Sequence, residues 1–167
     1  MSFNIKNKNI LITGATSGIG RAAAIKLSSI GANIFFVARD ESKAQLLVDD
    51  IHKISGKEAI PIIADLSSQS DIRKAAKKFN TFNLPLHVLL NNAGLINKER
   101  KETIDGYEEV FAINHLAYFL LTNLIIDKLK EANGSRIVNV SSGAHAFVKA
   151  FNFEDVHAEQ AYKPFQV

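Results

Sequence analysis

The sequence predicts an α/β fold, one doubly wound parallel sheet held between two layers of helices in a three-layer α/β/α arrangement. Three observations predict it. Five short apolar runs alternate with four longer stretches of helical character. The runs are nearly continuous in Val, Ile, Leu and Phe, as strands buried on both faces are. Strict alternation of strand and helix then requires parallel strands joined by right-handed crossovers. At 167 residues the chain has the size of one domain, and no Pro/Gly/Ser-rich linker divides it, so residues 1–167 are read as a single domain.

The first strand is Asn9–Thr13 (NILIT), followed by an alanine-rich helix over 19–30 that Gly31 stops. The second strand, Asn33–Ala38 (NIFFVA), is β-branched and aromatic, and the helix over 41–54 after it ends before Gly56. A third strand over 59–64 (AIPIIA) precedes Ser67-Ser68, residue types that start helices, and a helix over 69–79. The fourth strand covers 86–90 (LHVLL), and Asp105 introduces a long helix over 107–132. The fifth strand is 135–140 (SRIVNV).

Composition excludes several classes of function. The 20 Lys and Arg against 17 Asp and Glu leave a net charge of +3, with acids interspersed and no basic stripe, so nucleic acid is not an expected partner. There is no cysteine, which rules out disulfides and thiol nucleophiles, and the 5 histidines show no metal-ligand spacing. The N-terminus is too polar for a signal peptide, and with the lack of cysteine this gives the expectation of a cytoplasmic protein. The uncharged run 110–126 falls short of the roughly 20 apolar residues of a membrane span, so it is read as a core helix.

In open parallel sheets ligands bind beyond the carboxyl ends of the strands, and the motifs lie there. After the first strand stands Thr13-Gly14-Ala15-Thr16-Ser17-Gly18-Ile19-Gly20. Its glycines let the chain turn sharply and let a pyrophosphate approach, while the N–H groups and dipole of the new helix face the phosphate charge. Gly14, Thr16, Ser17, Gly18, Ile19 and Gly20 are therefore the candidate phosphate cradle of a Rossmann-like domain.

The spacing Thr-Gly-x-x-x-Gly-x-Gly resembles the signature of the short-chain dehydrogenase/reductase family, and later segments match in order. Asp65-Leu66 stands where that family holds an acid against the adenine, although Asp65 taken alone reads first as a cap of the next helix. Asn91-Asn92-Ala93-Gly94 matches the "NNAG" that borders the cofactor and steadies the sheet, so Asn91, Ala93 and Gly94 join the candidate site. Asn114 lies within the long helix, where an unpartnered amide would cost roughly 1–3 kcal/mol. The resemblance implies a local kink there and a role in proton relay. Of Ser141-Ser142, it assigns Ser142 the hydrogen bond to the substrate carbonyl. The stretches "NHLAYFLLT" and "NVSSGAHA" are similar to the retinol-dehydrogenase-like branch.

What the resemblance implies is an oxidoreductase moving hydride between a nicotinamide and a carbonyl or alcohol of a small molecule, with family members often pairing as homo-oligomers through the long helix and the helix after it. The second strand ends Ala38-Arg39-Asp40. An arginine there suits the 2′-phosphate of NADP, whereas Asp40 keeps NAD open as the alternative through the ribose 2′-hydroxyl.

The family's proton donor is a tyrosine with lysine four residues on, neighbours on one helix face. Tyr162 does not fit, because position 166 is Gln and Lys163 points elsewhere. The branch's spacing from Ser142 places the catalytic tyrosine just beyond Val167, so the chain is expected to be incomplete relative to the family, lacking its C-terminal strands. A nucleotide-binding chain without catalysis is the alternative reading.

Overall fold

A computed structural model describes residues 4–148 and 150–164. Gln166, four residues past Tyr162, lies outside the described residues. The elements follow in the order β1 (Asn9–Thr13), α1 (Gly18–Ser29), β2 (Asn33–Ala38), α2 (Glu41–Ser55), β3 (Ile60–Ile63), α3 (Gln69–Thr81), β4 (Val88–Asn91), α4 (Glu109–Phe111), a π-helical turn (Ala112–Leu116), α5 (Ala117–Lys130) and β5 (Arg136–Asn139). Short 3-10 turns follow at Gly143–Phe147 and Phe153–Asp155. All five strands are parallel in the order β3-β2-β1-β4-β5. The order reverses direction after β3, so a crevice opens beyond the carboxyl ends of β1 and β4.

The period-two geometry of the strands supplies both helical layers with apolar partners. On β1, Leu11 faces one side and packs with Phe35, Leu89, Phe79 of α3 and Leu121 and Ile125 of α5. Ile10 and Ile12 face the other, with Phe36, Ala24 of α1 and Leu47 and Ile51 of α2. Phe35 and Phe79 meet edge to face at 5.3 Å, a geometry aromatic quadrupoles favour.

The expected burial on both faces fails at β5, where every residue is exposed; Ile137 and Val138 are each 43% accessible. β5 is the outermost strand beside β4, and none of its residues belongs to either packed cluster, whereas Ile62 on the opposite edge strand β3 is buried in one.

Side-chain caps start α2 and α3. Asp40 Oδ1 accepts from Lys43 N at 3.0 Å, and Ser68 Oγ accepts from Asp71 N at 3.3 Å. Asp105 does not cap the long helix. Its carboxylate accepts from Gln69 N at 2.7 Å, tying the 101–108 loop to the start of α3. The fully buried Glu108 caps the long helix instead, accepting from Val110 N at 2.9 Å and Phe111 N at 2.7 Å. The stretch Glu109–Lys130 is long and apolar enough to cross a membrane, but Ala117, Leu121, Ile125 and Leu129 on its inner face are buried in the core.

At the opposite end of the sheet from the crevice, Asn9 N donates to His87 Nδ1 at 3.1 Å and Asn9 Nδ2 to the Pro85 carbonyl at 2.8 Å. Burial, and then the charge of Lys8, push the His87 pKa down. The unfolded chain therefore binds the proton more readily than the folded one. Stability is full above the unfolded value near 6.5 and declines as pH falls from there toward the folded value. The urea midpoint should fall between pH 7.5 and 5.5, and His87→Gln should flatten that dependence; an equally steep fall in the variant would remove His87 as the cause.

Candidate functional site

A cleft of about 500 Å³ opens where the strand order reverses. It is lined by the β1–α1 turn, by Val37, Ala38 and Arg39 from β2, by Ala64, Asp65 and Leu66 after β3, by Asn92, Ala93, Gly94 and Leu95 after β4, and by Ile113 and Val140.

The β1–α1 turn is built around close approach. Gly14 has φ +67°, and a Cβ there would lie 2.7 Å from Ala93 Cα. Gly20 lies closer still, since a Cβ would lie 2.2 Å from the Gly14 carbonyl oxygen and 2.4 Å from Asn92 Nδ2. Gly18, at φ +51°, has no neighbour within 4 Å of the Cβ position. This end of α1 differs electrostatically from the other helix starts. Ser17 makes no side-chain capping bond and the first turn holds no acid, whereas α2 and α3 are capped by Asp40 and Ser68. The first N–H groups of α1 and its dipole are thus left to an outside anion, which fits a dinucleotide pyrophosphate. Thr16, Ser17 and the 76% exposed Ile19 complete this wall.

Arg39 stands exposed at the end of β2 and lines the cleft, and among the described residues no carboxylate pairs with it. Asp40, the alternative ribose acceptor, is occupied as the α2 cap. Asp65 lines the cleft while its Oδ1 accepts from Ser67 N at 2.9 Å, so it combines the turn-forming role with a place in the wall.

The "NNAG" segment divides its labour differently from expectation. Asn91 is fully buried and does not line the cleft. Its Nδ2 donates to Asn139 Oδ1 on β5 at 2.9 Å and to Thr122 Oγ1 on α5 at 3.2 Å, while its Oδ1 has no partner among the described residues. Asn92, which the motif reading passed over, lines the cleft and donates through Nδ2 to the carbonyls of Thr13 and Gly14 at 3.1 and 3.2 Å. Thr13 Oγ1 accepts from Asn92 N and Ala93 N at 2.9 and 3.0 Å, lacing β1 to β4.

Asn114 sits in the π turn, at the kink the resemblance implies. It is exposed rather than buried, and both ends of its amide are engaged: Oδ1 accepts from Leu95 N and Nδ2 donates to Leu95 O, both at 2.9 Å. Ser142 is exposed outside the cleft wall, its Oγ accepting from Ala144 N at 3.1 Å. The cleft thus gathers Gly14, Thr16, Ser17, Gly18, Ile19, Gly20, Arg39, Asp65, Leu66, Ala93 and Gly94, but leaves Asn91, Asn114 and Ser142 outside its lining. Val37, Ala38, Ala64, Leu95 and Val140 are apolar residues at or just beyond the carboxyl ends of strands, and that position is the only sequence signal they carry.

Tyr162 is a tether. Its hydroxyl donates to the Asn97 carbonyl at 3.0 Å, and burial, then the charges of Glu108 and Glu109, push its pKa up. A proton donor needs the opposite shift.

Three kinds of likeness agree with this geometry. The sequence model of one family, short chain dehydrogenase, matches residues 8–153. The chain is 39% identical over 159 residues to human retinol dehydrogenase 11, covering 95% of this chain and 50% of that protein. It is 37% identical over 159 residues to human polyprenol dehydrogenase, covering 92% and 48%. The chain therefore spans about half the length of the curated relatives it matches. Among solved structures, an uncharacterized protein from Mycobacterium paratuberculosis superposes with a TM-score of 0.82 at 29% identity, over 98% of this chain and 56% of that one. A metagenomic short-chain oxidoreductase in complex with NADP superposes with a TM-score of 0.73 at 29% identity, over 84% and 64%.

Proposed function

This chain belongs to the short chain dehydrogenase family, on its retinol-dehydrogenase-like side, and on that premise we propose that its cleft takes NADP in preference to NAD and that the protein is an oxidoreductase acting on a carbonyl or alcohol. The observation that carries the cofactor choice lies at the end of β2: Arg39 is exposed in the cleft wall with no carboxylate partner among the described residues, while Asp40 caps α2. A guanidinium grips a phosphate through two charge-assisted bonds, whereas Asp40 is not among the residues that line the cleft. NADP binding in the related metagenomic oxidoreductase supports the same choice.

The cofactor, when bound, supplies the hydride chemistry. The chain's own residues bind and orient it. The open end of α1 accepts the pyrophosphate charge, Gly14 and Gly20 keep the wall thin enough for close approach, and Asp65 and Leu66 border the end of the cleft beside β3. Ser142 is the proposed donor to the substrate oxygen, and Asn114 fixes the Leu95 backbone from the π turn. Tyr162 keeps its proton and serves the loop at Asn97. Two copies pair, in this reading, through the outer face of α5, where Phe119 is 65% exposed.

None of the 3 tyrosines has a lysine four residues on, which favours a second reading for these 167 residues: nucleotide binding with little or no turnover. Titration of nicotinamide fluorescence tests both. Saturable NADPH binding, tighter than NADH, is expected with low turnover on a panel of aldehydes and ketones. Equal affinity for the two cofactors would defeat the NADP assignment, and no binding would defeat the nucleotide reading itself.

A further inference from the structure

The long helix meets the loop after β4 through side chains spaced to suit its π turn. Glu109, Asn114 and Tyr118 are five and four residues apart, so the wider π turn brings Glu109 and Asn114 to the side Tyr118 also faces. Glu109 Oε2 accepts from Asn97 Nδ2 at 2.7 Å, the Asn114 amide holds both backbone groups of Leu95, and the Tyr118 hydroxyl donates to the Ala93 carbonyl at 2.7 Å. Beyond the end of β4 this loop has no strand neighbour for these groups, so the helix satisfies them with side chains.

Ala93 is held on both sides. Its N–H is bound by Thr13 Oγ1 from β1 and its carbonyl by Tyr118 from α5, and the residue itself is 9% exposed at the cleft wall. We propose that Tyr118 is a positioning residue for the cofactor, fixing the Ala93–Leu95 floor of the cleft through the Ala93 carbonyl. Burial pushes the Tyr118 pKa up to about 12, so the hydroxyl stays a donor throughout the physiological range. The role rests on the proposed nucleotide reading of the cleft, and it is confined to one end of it. Arg39 follows β2 and Asp65 follows β3, on the far side of β1, whereas Ala93 follows β4. Tyr118 therefore acts on the half of the cleft away from the 2′-phosphate.

Tyr118→Phe removes only the hydroxyl. NADPH should bind about fivefold more weakly, the factor that one hydrogen bond typically makes. Adenosine 2′,5′-bisphosphate, which reaches only the β2–β3 side, should bind as to the wild type. Equal loss for both ligands would show general destabilisation and overturn the role, as would unchanged NADPH binding. Amide exchange in the ligand-free protein separates this inference from the functional one. The Ala93 and Leu95 amides should exchange faster in Tyr118→Phe whether or not any nucleotide binds, and unchanged exchange overturns the inference. A wild type that binds no NADPH overturns the nucleotide reading and with it the cofactor role, leaving faster exchange as the mark of the clamp alone.

Discussion

Gly20→Ala is expected to lower the melting temperature by about 2–12 °C and to abolish measurable nucleotide binding. The added methyl would lie 2.2 Å from the Gly14 carbonyl oxygen and 2.4 Å from Asn92 Nδ2. The first of these is backbone, so no rotamer change relieves it. Asn92 must also give up its bonds to Thr13 O and Gly14 O, which join the ends of β1 and β4. Overpacking of this kind costs about 1–3 kcal/mol, and about 1 kcal/mol moves the midpoint of a domain this size by 2–4 °C. The same shift moves the start of α1, whose N–H groups form the anion-accepting wall. Gly18→Ala is a comparison for stability: the Cβ position has no neighbour within 4 Å, so its cost is that of a left-handed φ of +51°, about 1–2 kcal/mol, without a steric clash. Thermal melts and NADPH titrations of both variants decide the matter; a Gly20→Ala protein with wild-type stability and affinity would refute the close-packing role.

Arg39→Ala is expected to weaken NADPH by about 10- to 150-fold while changing NADH by less than about twofold. Hydrogen bonds to a charged group contribute about 1.5–3 kcal/mol, which sets that range, and NADH lacks the phosphate that would receive them. Arg39→Lys should recover part of the loss, since an ammonium keeps the charge but not the two-pronged geometry. Raising salt should erode NADPH binding more in the wild type than in Arg39→Ala, because an exposed ion pair is screened. Equal losses for NADPH and NADH would refute the 2′-phosphate role and return Asp40 to consideration.

Much of the fold was legible along the chain. The runs NILIT and NIFFVA appear as strands over the same residues, and α1, α2 and α3 begin and end within two residues of expectation. Their signals are local: a dense β-branched or aromatic run, a glycine at a helix end, a serine at a helix start. The cradle from Gly14 to Gly20 was legible for the same reason, since a turn between strand and helix is encoded where it occurs.

What failed to show in the sequence depends on neighbours distant along the chain. Asn91 and Asn92 are chemically identical, and only the alternation of β4 turns one amide toward Asn139 and Thr122 and the other toward Thr13 and Gly14. Asp105 has the composition of a helix cap, yet the fold brings it to α3 rather than to the helix that follows it, and Glu108 takes its place. Tyr118 reads as one more apolar helix residue until its hydroxyl is found on the Ala93 carbonyl.

By itself, then, the amino-acid sequence determined the alternating βα architecture, the glycine cradle and the family, because each rests on residue types at short spacing. The tertiary structure decided which asparagine faces the cleft, that β5 lies exposed at the sheet edge, and that the π turn aligns Glu109, Asn114 and Tyr118 against one loop. Those outcomes are set by hydrogen bonds and packing between segments tens of residues apart, and such partners are chosen only when the chain closes on itself.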